Sequence, residues 1–285
     1  MTNPTQPADP QPADSSSSGY LHGFTPVERD RLYRQARFLE YKVHENLPFR
    51  RCRKLLEVGC GVGAQTEILL RRFPEMHVTG VDSSPHNLSS AQEFLARQGW
   101  AEGRYEMHQG DGRSLDLEAS AFDGAFLCWI LEHVGDPARV LSEVRRLLRP
   151  GASIVVTEVQ NATFFLDPYS PNTLTYWMAF NDHQLEMGGD PFVGAKLGNL
   201  LQSTGYRDIT TKVRTFHLDN RRAEERREFI AFWAELLLSG CEQLLSAGKV
   251  TAEVIEGMKV ELEAVSRDPN AVFFYSFVQA RATAG

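Results

Sequence analysis

Between Lys54 and Thr157 the chain alternates short apolar runs with longer amphipathic ones. Short runs at 54–58, 77–81, 104–108, 123–128 and 152–158 read as strands. Segments at 65–73, 85–97 and 137–148 between them read as helices. Such alternation predicts a parallel sheet with helices on both faces, because parallel neighbours need crossover connections. Pro150-Gly151 breaks the last helix ahead of the fifth strand.

The flanks follow other patterns. Residues 1–19 are mostly Pro, Gln, Asp and Ser with almost nothing to bury, and read as a disordered tail. Thr25-Pro26-Val27-Glu28 has the form of a helix start, and Leu32, Ala36, Leu39 and Val43 then share one helical face. Residues 160–186 read as aromatic-rich and irregular, and Met187-Gly188-Gly189-Asp190 as a loop before a helix at 192–203 that Gly205 ends. A sixth strand at 208–217 and a seventh at 271–280 bracket a helical insertion, 222–265. The expected division is a tail and one domain, 20–285, carrying a lid at 160–190 and that insertion. Phe229, Phe232, Trp233, Leu236 and Leu237 form a stripe read as core or a dimer face within a cap.

Composition narrows the function classes. A hydrophobic content of 42% supports a sizeable core, and a net charge of −7 argues against nonspecific nucleic-acid binding. The basic run Arg50-Arg51-Cys52-Arg53-Lys54 reads as a solvated approach to the first strand. Four cysteines form no CxxC pair and no metal spacing, which predicts a reduced, intracellular and metal-free protein. No apolar run reaches the roughly 18 residues of a membrane helix, and no signal-peptide core opens the sequence. The expectation is a cytoplasmic protein without membrane or nucleic-acid partners, either monomeric or a homodimer.

The candidate chemistry begins at Glu57-Val58-Gly59-Cys60-Gly61-Val62-Gly63-Ala64, where a strand feeds a glycine turn and then a helix. Such a turn lets backbone approach a nucleotide closely. The spacing matches the dinucleotide fingerprint G-x-G-x-x-A, and Asp82 lies 19 residues past Gly63, near the ribose-clamp position. Glu57 argues against a diphosphate and for a cationic or hydroxyl-rich ligand. A second acid, Asp111, sits in Gly110-Asp111-Gly112 after the third strand. Phe122-Asp123, Leu131-Glu132-His133-Val134 and Leu147-Leu148-Arg149-Pro150-Gly151 complete the series.

As a set, these motifs resemble the class I S-adenosylmethionine-dependent methyltransferases over about residues 54–158. The resemblance implies an α/β, Rossmann-like doubly wound sheet of seven strands, the last inserted antiparallel, with a helical cap and an aromatic lid. It implies S-adenosylmethionine as cofactor or sole substrate. Asp82, with Ser83 beside it, would hold the ribose hydroxyls, and Asp111, with Gly112, the adenine amine. Gly59, Gly61 and Gly63 would pass beneath the methionyl part, and Glu57 would orient its amino group directly or through water. Cys128 and Trp129 would leave the fourth strand beside the sulfonium, Trp129 being equally readable as core.

Tyr20-Leu21-His22-Gly23-Phe24, Arg31-Leu32, Gln35-Ala36 and Leu39-Glu40 resemble a bacterial branch of small-molecule methyltransferases. That likeness places Tyr20 and Gln35 near the methionyl carboxylate.

Two side chains stand as catalytic candidates. Histidine serves as acid or base near neutral pH, so His133 is a candidate general base, alongside a structural reading. Tyr176 is the candidate from the lid, whose rings could offer cation–π contact to a sulfonium or simply pack on the cap. The leading function is methyl transfer from S-adenosylmethionine to a small molecule by direct displacement. The alternative is cyclisation of S-adenosylmethionine, its amine attacking its own γ-carbon to give azetidine-2-carboxylate and methylthioadenosine, as in similar enzymes on this fold. A non-catalytic binding protein is the third reading.

Overall fold

The computed structural model describes residues 26–285, with side chains from Arg29 onward. The expected tail, the helix cap at Thr25 and the placement of Tyr20 lie outside the described residues.

Five parallel strands form one side of the sheet: β1 (Lys54–Val58), β2 (His77–Asp82), β3 (Tyr105–Gln109), β4 (Phe122–Cys128) and β5 (Leu148–Val159). Beyond them lie β6 (Phe165–Asp167), β7 (Tyr206–Leu218) and β8 (Val272–Ala284). The order is β3-β2-β1-β4-β5-β8, with β7 on the far edge of β8. β8 runs antiparallel to both β5 and β7, so the last strand of the chain is inserted antiparallel as expected.

The eighth strand is the addition. β7 occupies one edge of β8 along most of its length, so three-residue β6 continues the edge that β5 leaves at Val159↔Phe277.

Strand parity divides the core. Leu55, Phe126, Val155 and Phe277 face one cluster, and Leu56, Ala125, Ile154 and Val278 the other. The first cluster takes α1 (Pro26–Val43), α2 (Ala64–Arg72) and the cap helices; the second takes α4 (Pro137–Leu147) and α6 (Leu197–Ser203). α3 (Pro85–Ala96) completes the crossovers. α4 shows why these segments fold as helices. The Asp136 side chain accepts from Arg139 N at 2.9 Å, Pro137 opens the first turn, and Val140, Leu141, Val144 and Leu147 bury one stripe.

Two expectations need correction. Residues 160–186 are not irregular: α5 (Pro171–Glu186) fills most of that span, burying Thr173, Tyr176, Trp177, Phe180 and Gln184 at helical spacing. Glu261 holds its start from outside, accepting from Asn172 N at 3.0 Å and Thr173 N at 2.8 Å, amides with no partner inside the helix. The insertion 222–265 is three helices, α7 (Ala223–Ser239), α8 (Cys241–Ser246) and α9 (Ala252–Arg267), with breaks at Gly240 and at 247–251.

Candidate active site

Strand order reverses between β1 and β4, and in open α/β sheets ligands bind outside the carboxyl ends of the strands at that point. A cavity of about 450 Å³ lies there. β1 delivers the glycine turn, β2 delivers Asp82, and β4 delivers Cys128 and Trp129.

The turn depends on its glycines. Gly59, Gly61 and Gly63 have φ of 75°, 51° and 78°, a region costly for other residues. A Cβ on Gly59 would stand 2.6 Å from Ile130 Cδ1, and one on Gly63 3.1 Å from Ala91 Cβ. Gly61 has nothing within 4 Å and lines the cavity, so its openness faces the ligand side. Gly59 N and Cys60 N donate to Val81 O at 2.8 and 3.0 Å, Gly61 N donates to Asp82 Oδ2 at 2.9 Å, and Gly63 N donates to Cys60 O at 2.9 Å.

Asp82 lines the cavity and also accepts from Ser84 N at 2.9 Å and Asn87 Nδ2 at 3.3 Å. Burial pushes its carboxyl above the ordinary range, against the pull of these donors. Ser83, Gln35, Cys128, Trp129 and His133 line the same cavity. Gln35 Oε1 accepts from Arg31 Nη1 at 2.6 Å, and Arg31 is itself buried and lining. Trp129 has φ of 55°, a strained conformation for a bulky residue, and its backbone N–H donates to Thr157 O at 2.9 Å. Burial, then the carboxyls of Glu158, Glu57 and Glu132, push the Cys128 thiol far up, so it is not a thiolate nucleophile.

Five expected site residues are not on the cavity wall; one is Gly63, which packs against Ala91 and Leu95. Glu57 is 2% exposed and does not line it; Thr66 Oγ1 donates to Glu57 Oε2 at 2.6 Å. Burial raises its pKa to about 8, so near neutral pH it is largely protonated rather than a carboxylate facing an ammonium. Asp111 is half-exposed and turned to Arg113, whose Nη2 donates to Asp111 Oδ2 at 2.6 Å; that guanidinium lowers its pKa. Its neighbour Gly110 lines the cavity instead. Gly112 packs on the core, where a Cβ would stand 3.1 Å from Val58 Cγ1. Tyr176 is fully buried and donates to Leu237 O, which makes it a brace between α5 and α7 rather than a catalytic hydroxyl.

The structure adds groups not singled out as site residues in the sequence. Glu158, fully buried at the end of β5, accepts from Ile130 N at 3.0 Å, Leu131 N at 2.8 Å and Glu132 N at 3.3 Å. It thereby fixes the turn that carries Glu132 and His133. Burial, then the neighbouring Glu132, push its pKa well up. Glu132 lines the cavity, accepts from Gln184 Nε2 at 3.0 Å, and lies 3.7 Å from His133 Nε2. Trp177, Phe180, Phe229, Trp233 and Tyr275 line the other end as a chamber of rings. A charged residue inside the apolar run Ile154–Val159 was the signal for Glu158.

Residues 56–156 match the methyltransferase-domain family. The chain thus carries a methyltransferase domain over that segment.

This methyltransferase is similar to O-methyltransferase rstn1 of Aspergillus nomiae, 27% identical over 195 residues that cover 67% of this chain and 82% of that protein. It is also 31% identical to a malonyl-[acyl-carrier protein] O-methyltransferase of Paenibacillus over 112 residues, 39% of this chain and 40% of that protein. It thus spans less than half the length of the latter. Among solved structures, the [4+2]-cyclase SpnF superposes with a TM-score of 0.52 at 21% identity, over 90% of this chain and 82% of that one. A Haemonchus contortus phosphoethanolamine N-methyltransferase in complex with S-adenosyl-L-methionine superposes with a TM-score of 0.56 at 16% identity, over 92% and 57%. These structural likenesses show the shared fold.

The cofactor of this methyltransferase is S-adenosylmethionine. The cavity fits it, with open space over Gly61, a carboxyl at Asp82, and a buried, unpartnered acceptor at Gln65 Oε1. Among the described residues, no group of His, Cys, Asp and Glu is arranged to hold a metal ion, and no helix is long and apolar enough to cross a membrane.

Proposed function

We propose that the protein transfers the S-methyl group of S-adenosylmethionine to a small molecule by direct displacement. One observation carries this reading: a single cavity is lined both by the glycine turn with Asp82 and by the ring chamber of α5, α7 and β8. The turn bearing Glu132 and His133 stands between them. Ile130 packs over Gly59 on one side, and Gln184 of α5 holds Glu132 on the other. A site that only stored the cofactor would have no need of the second chamber.

In this reading Asp82 and Ser83 hold the ribose, Gly61 lies beneath the methionyl chain, and Gln35 with Arg31 meets its carboxylate. The sulfonium supplies an electrophilic methyl carbon. The acceptor atom bonds to that carbon as the S–CH3 bond breaks, and the acceptor's proton passes to His133, which Glu132 orients. The rings exclude water and hold the acceptor in line. Catalysis therefore rests mainly on positioning.

Cyclisation of S-adenosylmethionine would be helped by a hydroxyl near the methionyl amine, but the Tyr176 hydroxyl is committed to Leu237 O and does not line the cavity. The two reactions separate in one experiment. The protein is incubated with S-adenosylmethionine alone, then with a small-metabolite extract, and products are identified by mass spectrometry. S-adenosylhomocysteine formed only with extract is the expected result. Methylthioadenosine with azetidine-2-carboxylate, formed without extract, overturns methyl transfer.

A further inference from the structure

The polar groups around the ring chamber are nearly all committed inside the protein. Tyr275 Oη donates to Asn161 Oδ1 at 2.9 Å, Asn161 Nδ2 donates to Asn181 Oδ1 at 2.8 Å, and Trp177 Nε1 donates to Asn161 O at 3.0 Å. Trp233 is the exception. It is 3% exposed and lines the cavity, yet its indole N–H has no partner. No other described lining residue has a buried donor in that state. Buried donors are ordinarily paired, and one left alone beside a cavity points to an acceptor that arrives with a ligand.

The surroundings define that ligand further. Phe164 stacks on Trp233 at 5.3 Å and 16°, and the Trp177, Phe273 and Tyr275 rings stand 5.4, 5.3 and 4.7 Å away. Packed on one another, these rings form a flat, polarisable wall that favours a ring laid against it. An anionic group placed here would lose its hydration against the negative faces of the rings, and Asn161 and Tyr275 already satisfy one another.

We infer that the chamber is the methyl-acceptor subsite, shaped for a ring-bearing molecule without negative charge that presents an oxygen to the indole N–H of Trp233. The inference rests on the methyl-transfer reading and specifies its substrate class. Trp233 sets specificity: it selects for the oxygen, while the rings select for the flat body.

The test uses the full chain saturated with S-adenosylhomocysteine and three probes: 2-acetonaphthone, its oxygen-free counterpart 2-ethylnaphthalene, and 2-naphthoate. Calorimetry on the wild type and Trp233→Phe is expected to show about a fivefold loss for the ketone, the worth of one neutral hydrogen bond, with the hydrocarbon unchanged. In 15N-labelled protein, one of the four tryptophan indole peaks moves downfield with the ketone and stays in place with the hydrocarbon. Equal changes for both probes in the variant, or no indole shift with the ketone, overturns the inference. Tighter binding of 2-naphthoate than of the ketone also overturns it. Should the variant fold poorly, the wild-type spectrum decides alone. Failure of S-adenosylhomocysteine itself to bind would strike the methyl-transfer reading, whereas its binding without the indole response strikes only the subsite.

Discussion

Alanine at Gly59 and at Gly61 should damage the protein in different ways, although the two glycines are two residues apart in one turn. Both have positive φ, so each substitution carries a left-handed backbone cost of about 1–2 kcal/mol. At Gly59 the new methyl also meets Ile130 Cδ1 at 2.6 Å, and relief of such overpacking adds about 1–3 kcal/mol. Gly59→Ala should therefore lose about 2–5 kcal/mol of stability, a fall in melting temperature of roughly 5–15 °C. At Gly61 nothing lies within 4 Å, so Gly61→Ala keeps most of its stability, but its methyl enters the cavity. Thermal melts of both variants, with calorimetric titration of S-adenosylhomocysteine, separate the effects. Gly61→Ala should bind at least about tenfold more weakly, the effect of about 1.4 kcal/mol. A Gly61→Ala protein that melts as low as Gly59→Ala, or that binds within about twofold of wild type, would refute the assignment of Gly61 to the ligand face.

Further outcomes follow from the same geometry. Glu57 has a folded pKa of about 8 against about 4.5 unfolded, so the native state holds the extra proton between those values and stability declines as pH rises through that window. Wild type should lose up to about 1.4 kcal/mol per pH unit relative to Glu57→Gln between pH 5 and 8, measured by urea melts; parallel curves would sink the claim. Tyr176→Phe should cost about 1–2 kcal/mol of stability through the lost bond to Leu237 O while leaving kcat within twofold, and a large fall in kcat would restore the hydroxyl to catalysis. Asp82→Asn should weaken S-adenosylhomocysteine about 10- to 100-fold by calorimetry, the worth of a charged acceptor. His133→Gln should lower kcat about 100-fold or more with the cofactor's Kd unchanged; a change in Kd alone would make the side chain a cofactor contact.

The strands and crossover helices were legible because their signals are local. Several elements are bounded by a turn or a cap, as at Asp136-Pro137, although Pro150-Gly151 sits at an irregularity inside β5 rather than ahead of it. α5 was obscured because rings at Phe164, Phe165 and Tyr169 run into those at Tyr176 and Trp177, so composition masked the helical spacing that starts at Pro171. Site errors arose where a non-local or competing partner decided the outcome. Asp111 has the expected place after β3, but Arg113 follows two residues later and its guanidinium takes the carboxylate. Tyr176 lies in the expected segment, but its helical phase turns it to Leu237. The stripe of Phe229 and Trp233 was read as core or a dimer face; both side chains are nearly inaccessible, yet they line a cavity that sequence spacing alone does not reveal.

Glu57 shows how a correct conclusion can outlive its argument. The sequence reading set its negative charge against a dinucleotide's diphosphate, but the residue shares strand parity with Leu55, lies under the turn with Thr66, and is largely protonated near neutral pH. The turn itself supplies the stronger reason. A diphosphate site needs free backbone N–H groups aimed at the ligand. Here Gly59 N, Cys60 N, Gly61 N and Gly63 N all donate to protein oxygens: the first two to Val81 O, the third to Asp82 and the fourth to Cys60 O. Gly61, which borders the cavity, has its N–H held by the Asp82 carboxyl that lines the same cavity, so an incoming phosphate would compete with Asp82 for the donor and meet its charge at once. A ligand with hydroxyls and a sulfonium in place of a diphosphate meets neither obstacle. The glycines therefore bring backbone close to the ligand while their own amides stay committed to the fold, and the Asp82 carboxyl beside them favours hydroxyls over a phosphate.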